Sequence, residues 1–219
     1  MDLLKQVLEF VLHLQDHLNQ LLHDYGPWFH GMLFAVIFCE TGLVVTPFLP
    51  GDSLLFAIGA LAADPASGLG LVPCALTIAG AAFLGDNVNY WVGKQAGSQL
   101  VRRFPRLIQQ KHLDRTHAFF ERYGGKTIVM ARFVPIVRTF TPFVAGMGAM
   151  PYSRFLGFSV AATALWVSLI LPAGYFFGNI PAVKRHFELV VIGIIVVSCL
   201  PMAVEYLRAR RSAGTNPGH

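Results

Sequence analysis

Two apolar stretches of the chain, residues 28–63 and 127–149, are each interrupted by prolines, and each carries charged side chains. Few folds accommodate that combination. Proline removes a backbone donor and its ring clashes with the preceding turn, so an apolar helix normally stops or kinks there. Lipid offers the freed groups no partner, and broken backbone at membrane depth survives only where protein or a wet cavity satisfies it. In the first stretch, Thr46-Pro47-Phe48-Leu49-Pro50-Gly51-Asp52 separates residues 28–45 from a shorter apolar run, 53–63. A full crossing followed by half a crossing is awkward, whereas a hairpin that dips in and returns fits. In the second stretch Pro135 and Pro142 are expected to break the helix, and Gly146 and Gly148 follow.

That these stretches meet lipid follows from composition. Of 219 residues, 54% are hydrophobic and 13% charged, against about 25% charged in soluble domains. A water-soluble chain this apolar would expose large sticky patches. Composition therefore argues against an ordinary cytosolic enzyme, a disordered chain and a disulfide-stapled module. Cys39, Cys74 and Cys199 are isolated in apolar surroundings and read as small core residues.

The remaining segments complete an all-α integral membrane protein. Residues 1–25 place apolar side chains at three- and four-residue steps, with Glu9, His13, Asp16 and Asp24 on the other face. This is an amphipathic helix that lies in the interface, not a cleavable signal peptide. Its acidic polar face disfavours anionic lipid, so packing on the rest of the protein is the better expectation, and Tyr25-Gly26-Pro27 ends it. Residues 69–92 read as a span in which Gly80 and Gly85 permit close helix contact, with Asp86, Asn87 and Asn89 near its far end as a polar relay or an interfacial cap. Residues 94–126 hold eight cations against two anions and are expected in the cytoplasm. Residues 152–177 form a span broken near Pro172, and 187–207 a last span. The tail, 208–219, is placed in the cytoplasm by Arg208, Arg210 and Arg211. This charge map closes if 127–149 re-enters. The two halves then form an inverted repeat of two re-entrant hairpins plus spanning helices, an arrangement in which transporter sites sit where broken helices meet.

Four ionisable residues sit at those breaks: Glu40, Asp52, Arg132 and Arg138. Each costs about 2.5–3.5 kcal/mol at the bilayer centre on insertion scales, so they must be paired, hydrated or both. Two buried ion pairs locking hairpin to hairpin is the structural reading. A functional reading is favoured, because apolar replacements often stabilise as well as a buried pair. Arg132 and Arg138 lie six apart with Pro135 between them, and a break lets both converge. Two guanidiniums suit a phosphate. Glu40, in an apolar run, is a candidate proton carrier, and Asp52 is either its partner or the cap of a half-helix. Pro47, Pro50, Gly51, Asp86, Pro135 and Pro142 support the site, which is expected to share one wet pocket open to a head group. Trp28, Trp91 and Trp166 read as interfacial or packing anchors.

Phe38-Cys39-Glu40-Thr41-Gly42, Pro47-Phe48-Leu49-Pro50-Gly51-Asp52-Ser53, Gly85-Asp86-Asn87-Val88-Asn89-Tyr90 and Arg132-Phe133-Val134-Pro135-Ile136-Val137-Arg138 together resemble the bacterial DedA family, relatives of the VTT-domain lipid scramblases. The resemblance runs in order through residues 1–211 and is nearest the proteobacterial inner-membrane branch. It implies two facing re-entrant hairpins within a transport core over 28–178 and a proton-motive-force-linked role in envelope maintenance. It also implies return of undecaprenyl phosphate or phosphatidylethanolamine across the cytoplasmic membrane. The family's functional acids and arginines fall on Glu40, Asp52, Arg132 and Arg138.

The expected function is therefore a lipid transporter or flippase. Arg132 and Arg138 would bind substrate, and Glu40 and Asp52 would couple protons. A proton-coupled cation or drug antiporter is the alternative. No zincin, serine-elbow or P-loop motif occurs, so an enzyme is not expected. His13 and His17 have metal-pair spacing without a third ligand, so neither a metal nor another cofactor is expected. The expected partners are membrane lipids and protons, not nucleic acid, and homodimerisation is left open.

Overall fold

The computed structural model describes residues 14–42, 51–103, 124–148 and 150–178, with a few positions between 180 and 193. Expectations for residues 1–13, Pro47, Pro50, most of the basic loop, the last span and the tail lie outside the described residues. Among the described residues seven α-helices follow in order: α1 (Leu14–Tyr25), α2 (Phe29–Gly42), α3 (Gly51–Ala62), α4 (Leu71–Arg103), α5 (Lys126–Ala131), α6 (Pro135–Met147) and α7 (Tyr152–Phe177). No strand occurs among the described residues.

The connections follow local chemistry. Gly26 takes a φ of +47° between α1 and α2, a conformation costly for any residue with a Cβ. Asp64 accepts a 2.9 Å hydrogen bond from the Ala66 amide, and Gly68 is left-handed, which turns the chain from α3 into α4. Val134 is extended (φ −117°, ψ 108°), as a residue before proline must be, and Pro135 opens α6 at the position where its missing donor costs nothing. The apolar side of α1 packs inward: Leu18 is buried, and Leu21 and Leu22 lie against the core.

Pro142 and Pro172 do not end helices, contrary to the sequence reading. α6 continues through Pro142 and α7 through Pro172. Each removes one intrahelical bond, from the carbonyl four residues earlier, but tertiary packing outweighs that loss. Only Pro135 marks a break in the described part of this region. α4 is also longer than expected and runs to Arg103, so Asp86, Asn87 and Asn89 stand in mid-helix and are not an end cap.

The broadest helix contacts are α4 with α6, α2 with α4 and α3 with α7. All three carry facing glycines, and in two of them a Cβ on either partner would strike a backbone carbonyl. A Cβ on Gly93 would strike the Phe143 carbonyl and one on Gly146 the Tyr90 carbonyl; a Cβ on Gly59 would strike the Leu171 carbonyl and one on Gly174 the Phe56 carbonyl. Backbones therefore touch along both seams, the close approach on which helix association in lipid depends. Gly85 meets Thr41 and Gly42 of α2, but Gly80 faces open space and mediates no contact. The outer surface is apolar: Leu76 is 69% and Phe176 70% exposed, alongside Val72, Met130 and Leu169. Within α4 the stretch Leu71–Ala96, together with α7, is long and apolar enough to cross a membrane. Water would penalise such a surface and lipid would not.

Candidate substrate site at the helix breaks

The ends of α2, α3 and α6 and the middles of α4 and α7 converge on one charged cluster. Glu40 lies two residues before the end of α2 and Asp52 is the second residue of α3. Both receive Arg138 of α6: its Nη1 donates to Asp52 Oδ1 at 2.7 Å and its Nη2 donates to Glu40 Oε1. The Trp166 indole Nε1 donates to the same Asp52 oxygen at 2.8 Å. Gly51 makes this possible, because a Cβ there would run into both Glu40 carboxylate oxygens and sit 2.7 Å from Arg138 Nη2. The carboxylate thus rests against the first residue of α3, where the helix dipole favours negative charge.

Arg132 occupies the turn between α5 and α6. Its Nη1 donates to Asp86 Oδ2 of α4, and Ser159 Oγ of α7 donates to that oxygen at 2.9 Å. Trp166 joins the two charge sets, with the guanidinium carbons of Arg132 and Arg138 lying 5.0 and 5.1 Å from the centre of its ring. Asn89 ties the scaffold together. Its Nδ2 donates to the Thr41 carbonyl of α2 at 3.2 Å and to the Thr139 carbonyl of α6 at 2.6 Å. Asn87 serves a different contact, donating to the Phe83 carbonyl and accepting from Tyr152.

The four charged residues singled out at the breaks are thus brought together, and Asp86 joins them as the counter-ion of Arg132. Three carboxylates face two guanidiniums, a formal excess of one negative charge when all are ionised, not the balance that the four alone would give. Among the described residues the cluster is closed over and does not form an open, wet pocket. Glu40 is 1% exposed, and Arg132, Arg138 and Asp86 are also buried. Buried ions demand partners, and here the protein itself supplies them. Among the described residues no group of His, Cys, Asp and Glu could hold a metal.

Trp166 and Ser159 escaped the sequence reading as site residues, and Asn89, read as part of a polar relay or an interfacial cap, instead ties α2 to α6. Asn89 carried a signal as an amide within an apolar span, and Trp166 one as a large polar-tipped ring in mid-span. Phe at position 166 keeps a ring beneath the guanidiniums but removes the donor to Asp52. A hydrogen bond to a charged group contributes about 1.5–3 kcal/mol, so Trp166→Phe should lose roughly 2 kcal/mol in detergent unfolding. An unfolding curve matching that of the unsubstituted protein would show that this donor contributes nothing.

A VTT domain model matches residues 49–176, which takes in α3 to α7 and every member of the cluster except Glu40. The chain belongs to the VTT-domain family, that of the DedA proteins. It is 50% identical to Protein DedA of Escherichia coli K12 over 97% of this chain and 98% of that one. An uncharacterized membrane protein of Mycobacterium tuberculosis is 42% identical, covering 83% of this chain and 81% of its own. Inner membrane protein YghB of Escherichia coli K12 is 34% identical, covering 79% and 77%. No solved structure matches. Relatives named as membrane proteins agree with the apolar surface of this VTT-domain chain.

Proposed function

We propose that this VTT-domain protein is a proton-coupled lipid transporter of the bacterial cytoplasmic membrane, not an enzyme. Its cargo would be a lipid phosphate head group, with undecaprenyl phosphate favoured and phosphatidylethanolamine next, returned from the outer to the inner leaflet. The observation that carries this reading is the set of buried Arg138 and Glu40 with partly buried Asp52, held where three helix ends meet. In the closed arrangement the carboxylates occupy the guanidinium donors. Protons arriving on Glu40 and Asp52 neutralise them and release Arg138, while Arg132 offers the second cation to the phosphate. Delivery of the head group and release of both protons on the opposite side then restore the internal pairs.

The proposed frame is two re-entrant hairpins, α2–α3 and α5–α6, in an inverted repeat. In its support, the second helix of each hairpin packs on the long helix of the other half, α3 on α7 and α6 on α4, and each seam carries a reciprocal glycine pair. The basic loop and tail are assigned to the cytoplasm by their charge.

The excess negative charge of the cluster favours one second reading, a proton-coupled cation or drug antiporter. Reconstitution separates the two. In proteoliposomes carrying labelled polyprenyl phosphate or labelled phosphatidylethanolamine, an imposed pH gradient should drive lipid between leaflets. Glu40→Gln should slow that movement at least about tenfold, the loss of an interaction worth roughly 1.4 kcal/mol at the rate-limiting step. Lipid movement no faster than in protein-free vesicles, together with cation-driven proton flux, would replace this reading with the antiporter.

A further inference from the structure

We propose that the free edge of Arg132, together with the hydroxyl of Thr163, is the seat for two adjacent oxygens of a phosphate, while Arg138 acts as the internally neutralised lock. This rests on the transport reading above and divides the work between its two arginines.

The two guanidiniums are not equivalent. Arg138 gives both terminal nitrogens to carboxylates, leaving only Nε without a partner. Arg132 gives only Nη1 to Asp86, and its Nε and Nη2 find no hydrogen-bond partner among the described residues. Those two nitrogens lie on one edge of the guanidinium plane, the parallel fork that takes carboxylate or phosphate oxygens two at a time. Arg132 is 3% exposed, so water does not readily serve that edge from bulk. The remaining contacts hold the group in place: Asp86, itself fixed by Ser159, anchors the opposite end, and the Trp166 ring lies 5.0 Å away.

Thr163 supplies the second observation. On α7 it lies four residues after Ser159 and three before Trp166, so the three share one helix face. Ser159 and Trp166 bracket Arg132 through their contacts with Asp86 and with its guanidinium. Thr41, Thr77 and Thr141 each donate to the carbonyl four residues earlier, as helical threonines commonly do. Thr163 makes no such bond. It is 3% exposed, and its Oγ1 is without a partner among the described residues. A buried hydroxyl and a buried guanidinium fork, both unspent and placed by the same helix face, match an anion that presents two or three oxygens.

Charge decides between the arginines. An anion at Arg138 would meet two carboxylates already bound there. At Arg132 it would meet one, engaged at the far nitrogen.

The test uses the full chain purified in detergent and follows its unfolding midpoint against added short-chain phosphatidic acid, short-chain phosphatidylethanolamine and inorganic phosphate. Ligands that bind the folded state raise the midpoint. Phosphatidic acid should stabilise the unsubstituted protein. Thr163→Val, which keeps shape and removes only the hydroxyl, should need about tenfold more of it. Arg132→Lys keeps a cation for Asp86 but lacks the fork, and should abolish the response. Ser168→Ala, an exposed hydroxyl elsewhere on α7, should respond as the unsubstituted protein does. Stabilisation by inorganic phosphate alone would uphold the seat and make free phosphate its ligand, whereas a response to the lipids only would uphold it as a head-group site. Responses unchanged by both Thr163→Val and Arg132→Lys, or no response to any probe in the unsubstituted protein, would overturn the proposal. If the seat behaves as stated but reconstituted protein moves no lipid, the transport reading fails and the seat stands.

Discussion

Arg138→Leu should destabilise the protein by about 3–5 kcal/mol, the usual cost of removing one partner from a buried ion pair. That is a large share of a typical total of about 5–15 kcal/mol. The reason is geometric. Arg138 bridges α2, α3 and α6 through Glu40 and Asp52, and its loss leaves the buried Glu40 carboxylate and the partly buried Asp52 carboxylate without their shared cation. The penalty therefore comes from the uncompensated acids, Glu40 above all since Asp52 keeps the Trp166 donor, more than from the missing cation. The triple variant Glu40→Gln, Asp52→Asn, Arg138→Leu should recover most of the lost stability without recovering transport, because groups in one network do not behave additively. Unfolding in detergent measures both. A single Arg138→Leu variant as stable as the unsubstituted protein would mean that the pairing is incidental. Added salt should change little in the unsubstituted protein, since screening acts weakly on buried pairs.

Gly146→Val should be comparably damaging for a different reason. Already a Cβ at position 146 strikes the Tyr90 carbonyl and lies 2.9 Å from the Lys94 amide nitrogen. Those are backbone atoms of a helix and cannot rotate aside, so α6 must move off α4. Overpacking costs about 1–3 kcal/mol where side chains can adjust; here the upper end or more is expected. The shift would also pull Thr139 away from Asn89, which ties α6 to α2. The contrast is Gly80→Ala on the same α4. Nothing lies within 4 Å of that Cβ, so the substitution should stabilise by about 0.5–1 kcal/mol through helix propensity. Equal effects at the two positions would show that the α4–α6 seam is not in backbone contact.

The cluster was only partly legible before folding. Charged residues beside proline breaks in an apolar chain stand out because burying them unpaired is prohibitive, and all four were found on that ground. Their pairing was not legible. Arg138 meets Asp52 across 86 positions and Arg132 meets Asp86 across 46. No local pattern encodes which acid reaches which base. The sequence places Asp86 near the far end of a span over 69–92, whereas the helix runs on to Arg103 and Gly93 is a contact point against Phe143 inside it. Pro142 was misread for a related reason: a proline removes one hydrogen bond wherever it stands, and packing determines whether the helix survives.

The sequence by itself determined that the chain is helical and made for lipid, that its charges would need mutual neutralisation, and that α6 starts afresh at Pro135, since hydrophobicity, charge and proline geometry act residue by residue. Tertiary structure alone decided that Trp166 would lie against both guanidiniums, that Asp86 would claim Arg132 and that Thr163 would be left with an unspent hydroxyl. Those outcomes depend on how the glycine seams bring separate helices together, and a close approach in space is a property of pairs of surfaces that no single stretch of chain contains.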